Sequence, residues 1–118
     1  MQILVTTDNH TEGHARLHDY VQTKVETTLA RFQQRVTRAE VHLSDQNSSA
    51  KKSDDHQKCV VEVRVNGLKP MSVSHNASNL ELAVTGAVEK MERALAHTLD
   101  RLAETHKSGS PKAAGLVM

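Results

Sequence analysis

Two short segments alternate apolar and polar residues with period two, and they constrain the fold of this 118-residue chain more than anything else in it. In "TRAEVHLS" Ala39, Val41 and Leu43 fall on one side, with Arg38, Glu40 and His42 on the other. In "CVVEVRVNG" Val61, Val63 and Val65 face one way and Glu62 and Arg64 the other. Such alternation predicts half-buried strands, each with one face on a core and one in water. Asn66-Gly67 predicts a turn, and "KPMSVSH" a shorter strand after it. A β-branched run, "QILVT" from Gln2 to Thr6, predicts a further strand, stopped by Asp8-Asn9.

Between the first and second strands the period changes. Leu17, Tyr20, Val21, Val25, Thr28, Leu29 and Phe32 recur every three to four residues, which predicts an amphipathic helix from Gly13 to about Arg35. "SNLE" matches a capping box, Ser78 capping and Glu81 bonding back. From there Val84, Ala87, Val88, Met91, Leu95, Leu99 and Leu102 predict a second helix to about Thr105. The expected fold is α+β in the order β-α-β-β-β-α, a four-stranded sheet with two helices packed on one face. Its first two strands should run parallel through a right-handed crossover. The expected organisation is one domain over residues 1–107, with the aperiodic "KSGSPKAAGLVM" supplying a flexible tail over 108–118.

Composition narrows the function. Tyr20 and Phe32 are the only aromatics, so the core rests on aliphatic residues, and base stacking on the open sheet face is disfavoured. Net charge is +1, so a surface for an anionic polymer must come from uneven distribution. Cys59 is the only cysteine, which excludes an internal disulfide and suits a reducing compartment. The N-terminus lacks a signal-peptide pattern, and no run approaches the roughly 20 apolar residues of a membrane span. The expectation is a cytoplasmic protein without a membrane partner. No glycine-rich phosphate loop, G-x-S-x-G or H-E-x-x-H occurs, so an enzyme is not expected.

Three features carry candidate chemistry. The polar stretch "DQNSSAKKSDDHQKC", Asp45 to Cys59, has oxygen ligands at EF-hand positions 1, 3 and 5 (Asp45, Asn47, Ser49). Ala50 and His56 stand where the glycine and the bidentate glutamate belong, and Cys59 with His56 gives only two zinc ligands. A solvated hairpin loop is the preferred reading. His14 and His18 are spaced i, i+4 on the first helix, as a transition-metal chelate would be. A half-buried histidine beside an exposed one is the simpler account, so neither metal nor cofactor is expected. Finally, Lys90, Arg93, His97 and Arg101 group on the side of the second helix away from its apolar stripe, while Lys24 and Arg31 cluster on one flank of the first. With the helices side by side, these groups would make a cationic ridge for a phosphate backbone. The bland alternative is a solvated face paired locally with Glu89 and Asp100.

The chain resembles the short ribosome hibernation factors, the group of the hibernation-promoting factor, ribosome-associated inhibitor A and sigma-54 modulation proteins. The resemblance spans Met1 to Lys107 and is carried by "MQILVTTDN", by "LHDYVQTKV" on the first helix and by "NLELAVTGAVEKMERAL" on the second. It implies a monomeric stress factor that binds the small ribosomal subunit and 16S rRNA at the decoding channel and inhibits translation. Lys24, Lys90, Arg93 and Arg101 match basic positions of the family, with Arg31 and His97 in support. His97, Thr27 and Leu99 stand where lysine is common, and Thr85 where aspartate is. The departures keep a second reading open: a diverged member serving as a protein-interaction or regulatory module.

Overall fold

A computed structural model describes residues 1–7, 14–45 and 56–108 of the chain. The order is β1 (Gln2–Thr7), α1 (His14–Thr28), a 3-10 helix (Ala30–Phe32), β2 (Val36–Asp45), β3 (Gln57–Val65), β4 (Met71–Ala77) and α2 (Leu80–Ser108). The strands lie side by side in chain order. β1 runs parallel to β2, and β2–β3 and β3–β4 are antiparallel, so the sheet is mixed.

The alternation works as a register device. Pairing Ala39 with Val63, Val41 with Val61 and Leu43 with Cys59 brings all six side chains to one face. A slip of one residue would turn each of them to water. That face is fully buried, and Val21, Val25 and Leu29 from the α1 side meet it together with Val84, Ala87, Val88, Met91 and Leu95 from α2. Each fully buried Val, Leu or Met contributes about 1.5–3 kcal/mol of burial free energy. α2 lies over β3 and β4, while α1 touches β1 and α2. Leu99 packs half-buried at the margin of the core.

Four differences from the expected boundaries have a clear local setting. α1 stops at Thr28 instead of running to Arg35. The Leu29 amide makes the last i→i+4 bond, to Val25 O at 2.9 Å, and the Phe32 amide then bonds Leu29 O at 2.9 Å. Leu29 and Phe32 are both buried, and an i, i+3 spacing satisfies that burial in a 3-10 turn as well as in an α-helix. α2 is capped by Asn79, not Ser78: Asn79 Oδ1 accepts from the Leu82 amide at 2.8 Å, and Asn79 O from Ala83 at 3.0 Å. Asparagine caps as well as serine, and Glu81 then sits in the first turn, where its charge suits the helix dipole. The helix continues to Ser108, three residues past the expected end. β4 begins at Met71, because Pro70 has no amide hydrogen to give the ladder. The preceding turn is closed by the Leu68 amide on Val65 O at 3.0 Å, with Gly67 at φ +82°, the left-handed region open to glycine.

Candidate nucleic-acid interface

α2 sorts its side chains by angle. Its buried stripe faces the sheet, and Lys90, Arg93, His97 and Arg101 are all exposed. At 100° per residue those four fall within about 80° of arc, one strip down the helix. Lys90 fixes which flank this is: its Nζ donates to Ser74 O at 2.9 Å, so the strip borders β4. The opposite flank meets α1, where Tyr20 Oη and Thr85 Oγ1 are 3.2 Å apart. Thr85 and Lys90 are five residues apart, about 140° around the helix.

Lys24 therefore stands apart from the strip. Lys24 is half-buried, one turn after Tyr20 and on the same side of α1. Arg31 belongs to the 3-10 turn and not to α1. Its guanidinium carbon lies 4.6 Å from the centroid of the Phe32 ring, a cation–π contact that holds the group while leaving it exposed. The arc of α2 between the strip and α1 is acidic, with Glu89 and Asp100 exposed. The helix thus carries a basic flank and an acidic flank, a segregation that gives local potential without net charge.

The open face of the sheet holds further cations. Register sets Arg38 opposite Arg64 and Glu40 opposite Glu62. Arg38 Nε is 3.1 Å from Glu40 Oε2, and His42 Nε2 is 3.5 Å from Glu40 Oε1. Alternation marked these residues as outward-facing, but only the register reveals that like charges meet across the strands. No spacing along the chain signals it.

The other candidates resolve differently. Cys59 is fully buried on the helix-covered face, and desolvation pushes its thiol from 9.0 up to about 12, so it is held as the neutral thiol. His56, at the far end of the polar stretch, reaches Asp45 with Nδ1 3.1 Å from Oδ1. Segment 46–55 between them, the His14 side chain and residues 109–118 lie outside the described residues, and His18 is exposed. Among the described residues no group of three or more His, Cys, Asp or Glu is placed to hold a metal ion. No described helix is long and apolar enough to cross a membrane.

Known proteins give this geometry a context. The crystal structure of the Thermus thermophilus Protein Y N-terminal domain is similar over 80% of this chain and 94% of its own, with TM-score 0.62 and 23% identity. A ribosomal subunit interface protein from Coxiella burnetii is similar over 85% of this chain and 99% of its own, with TM-score 0.64 and 14% identity. At these identities the likeness shows the fold. A comparison with curated protein sequences gives no match. The profile described as sigma 54 modulation protein / S30EA ribosomal protein matches residues 4–103, from the first strand through most of α2, and to that family this chain belongs.

Proposed function

We infer that the protein is a cytoplasmic, ribosome-associated hibernation factor that binds the small subunit through 16S rRNA and inhibits translation under stress. The binding unit is residues 1–107, acting as a monomer, with 108–118 as a tail. The observation that supports this reading is the exposed strip Lys90, Arg93, His97 and Arg101 on α2, carried by a chain of the S30EA family. Lysine and arginine on a helix face meet phosphate oxygens without reading base sequence, as binding to a folded rRNA surface requires. Lys24, on the other side of α2, and Arg31, in the 3-10 turn, supply further contacts. One of the similar structures is a ribosomal subunit interface protein, which points the same way.

A second reading has its own support. Glu89 and Asp100 adjoin the strip and thin its field, which suits a diverged member that docks on a protein. Sedimentation with purified small subunits separates the two. Ribosome binding predicts co-sedimentation at micromolar protein in low salt. Each phosphate contact adds on the order of 0.7–0.9 to the log–log salt slope, so four contacts give a slope near −3. The pair Lys90→Glu with Arg93→Glu should abolish the pelleted fraction while circular dichroism stays unchanged. If wild-type protein stays in the supernatant at low salt, the rRNA reading fails.

A further inference from the structure

A second group of cations stands at the end of the sheet where β2 begins. In unbroken alternation Val36 and Arg38 would share a face. The register shifts between them, so that two residues of β2 are counted against one of β3. Val36 therefore stays buried, Thr37 is exposed, and Arg38 turns outward opposite Arg64. Thr37 Oγ1 donates to Arg64 O at 3.3 Å and pins the bulge. Arg35 joins the group through its backbone. Its carbonyl accepts from the Asn66 amide at 2.8 Å, which sets it beside the turn that carries Lys69.

These charges are thinly neutralised. Glu40 serves both Arg38, at 3.1 Å, and His42, at 3.5 Å. Arg38 Nε is closed to water yet out of hydrogen-bond alignment with that carboxylate. The side chains of Arg35, Arg64 and Lys69 are exposed, and among the described residues they have no hydrogen bond or ion pair. Arg35, Arg38, Arg64 and Lys69 thus outnumber Glu40 and Glu62 at this end. Directly opposed like charges are unfavourable, and an anion between Arg38 and Arg64 would relieve them. Phosphate oxygens fit the guanidinium fork.

The group also meets the strip on α2. α2 and β4 run in opposite directions, Gly86 lying against His75 and Lys90 against Ser74. From Ser74 back to Met71 is about 10 Å of strand, and from Lys90 on to Arg101 about 16 Å of helix. The strip therefore passes the start of β4 and reaches the level of the turn, with Lys69 between it and the Arg38–Arg64 pair. Neither aromatic lies on the open face, since Tyr20 bonds Thr85 and Phe32 is buried, so the face suits phosphates and not stacked bases.

We propose that the RNA-binding surface turns the corner at the β4 edge and continues through Lys69 onto the open face of the sheet, where Arg64, Arg38 and Arg35 hold phosphates of the same RNA backbone. The identity of the polyanion rests on the rRNA reading above; the second surface rests on the bulge and the charges it brings together.

A fluorescein-labelled RNA hairpin, titrated with the full chain and read by anisotropy over a salt series, tests it without a ribosome. Arg35→Gln with Arg64→Gln removes two phosphate contacts and should make the log–log salt slope shallower by about 1.5. Between 50 and 200 mM salt, wild type should then lose about tenfold more affinity than this variant. Glu62→Gln, which removes a carboxylate from the face, should tighten binding about threefold, a gain that misfolding cannot produce. A slope that the Arg35–Arg64 pair leaves unchanged overturns the proposal and leaves the strip standing, and failure of Glu62→Gln to tighten binding also counts against it. Poly-glutamate that binds through the same pair as tightly as the hairpin assigns the face to an acidic protein and overturns it too, as does a wild type that ignores the hairpin at low salt. A chain that binds the hairpin through both surfaces but stays in the supernatant with small subunits keeps this surface and loses the ribosomal reading.

Discussion

The two faces of the sheet are written by the same residues in alternation, yet they follow opposite rules. On the inner face Val41, Val61 and Val73 form one row and Ala39, Val63 and Met71 the next, every contact made by shape. On the outer face Arg38 meets Arg64 and Glu40 meets Glu62, pairings that electrostatics alone would avoid. The inner face is strong enough to impose a register that the outer face would not choose. Burial contributes kilocalories for each side chain, whereas an exposed charge pair is worth about 0–1 kcal/mol, so the smaller term gives way.

The comparison breaks most sharply at Gly86. A Cβ built there would overlap the Cδ2 and Nε2 atoms of His75, on the neighbouring strand β4. Gly86→Ala should therefore cost about 1–3 kcal/mol in urea unfolding through overpacking, against the ~1 kcal/mol gain that alanine brings to an open helix. The double variant with His75→Ala should recover much of the loss. A single variant as stable as wild type would show that the inner face is looser than its geometry.

A smaller effect belongs to Cys59. Burial raises its thiol from 9.0 to about 12, so the neutral form is favoured in the folded chain. Its contribution is fully present below pH 9 and is lost as pH rises toward 12, because the unfolded thiol ionises first. Between pH 8 and pH 10 wild type should lose about 1 kcal/mol relative to Cys59→Ala in paired denaturation curves. Parallel curves at the two pH values would contradict a thiol held in the core.

The smallest effect lies on the outer face. Glu62→Lys replaces a like-charge cross-strand pair with an attractive one beside Glu40 and should stabilise the fold by about 0.5 kcal/mol at low salt. The gain should vanish in 1 M salt, where screening acts within about 3 Å. Destabilisation at low salt would mean that Glu62 has a structural role on the outer face.

Much of this was legible in the chain itself. The strands β2 and β3, the stripe of α2 and its exposed cations follow from spacing alone, because period two and period 3.6 are properties of single elements. What escaped depends on how elements meet. Leu29 and Phe32 satisfy the same burial in an α-turn or a 3-10 turn, so periodicity could not place the end of α1. Ser78 and Asn79 are adjacent cap formers, and the backbone decided between them. The separation of Lys24 from the Lys90 strip came from the Tyr20–Thr85 contact, which no sequence interval encodes. Likewise Asp45 and His56, 11 residues apart, become neighbours only through hairpin pairing.

The bond from Lys90 to the Ser74 carbonyl has a consequence for solubility. β4 is an outer strand of the sheet, and an outer strand presents backbone groups on which another chain can build. Lys90 occupies one of those acceptors and sets a hydrated charge beside it, a deterrent to strand-on-strand aggregation. A chain that traded this lysine for an apolar residue would lose that guard and become more prone to self-association.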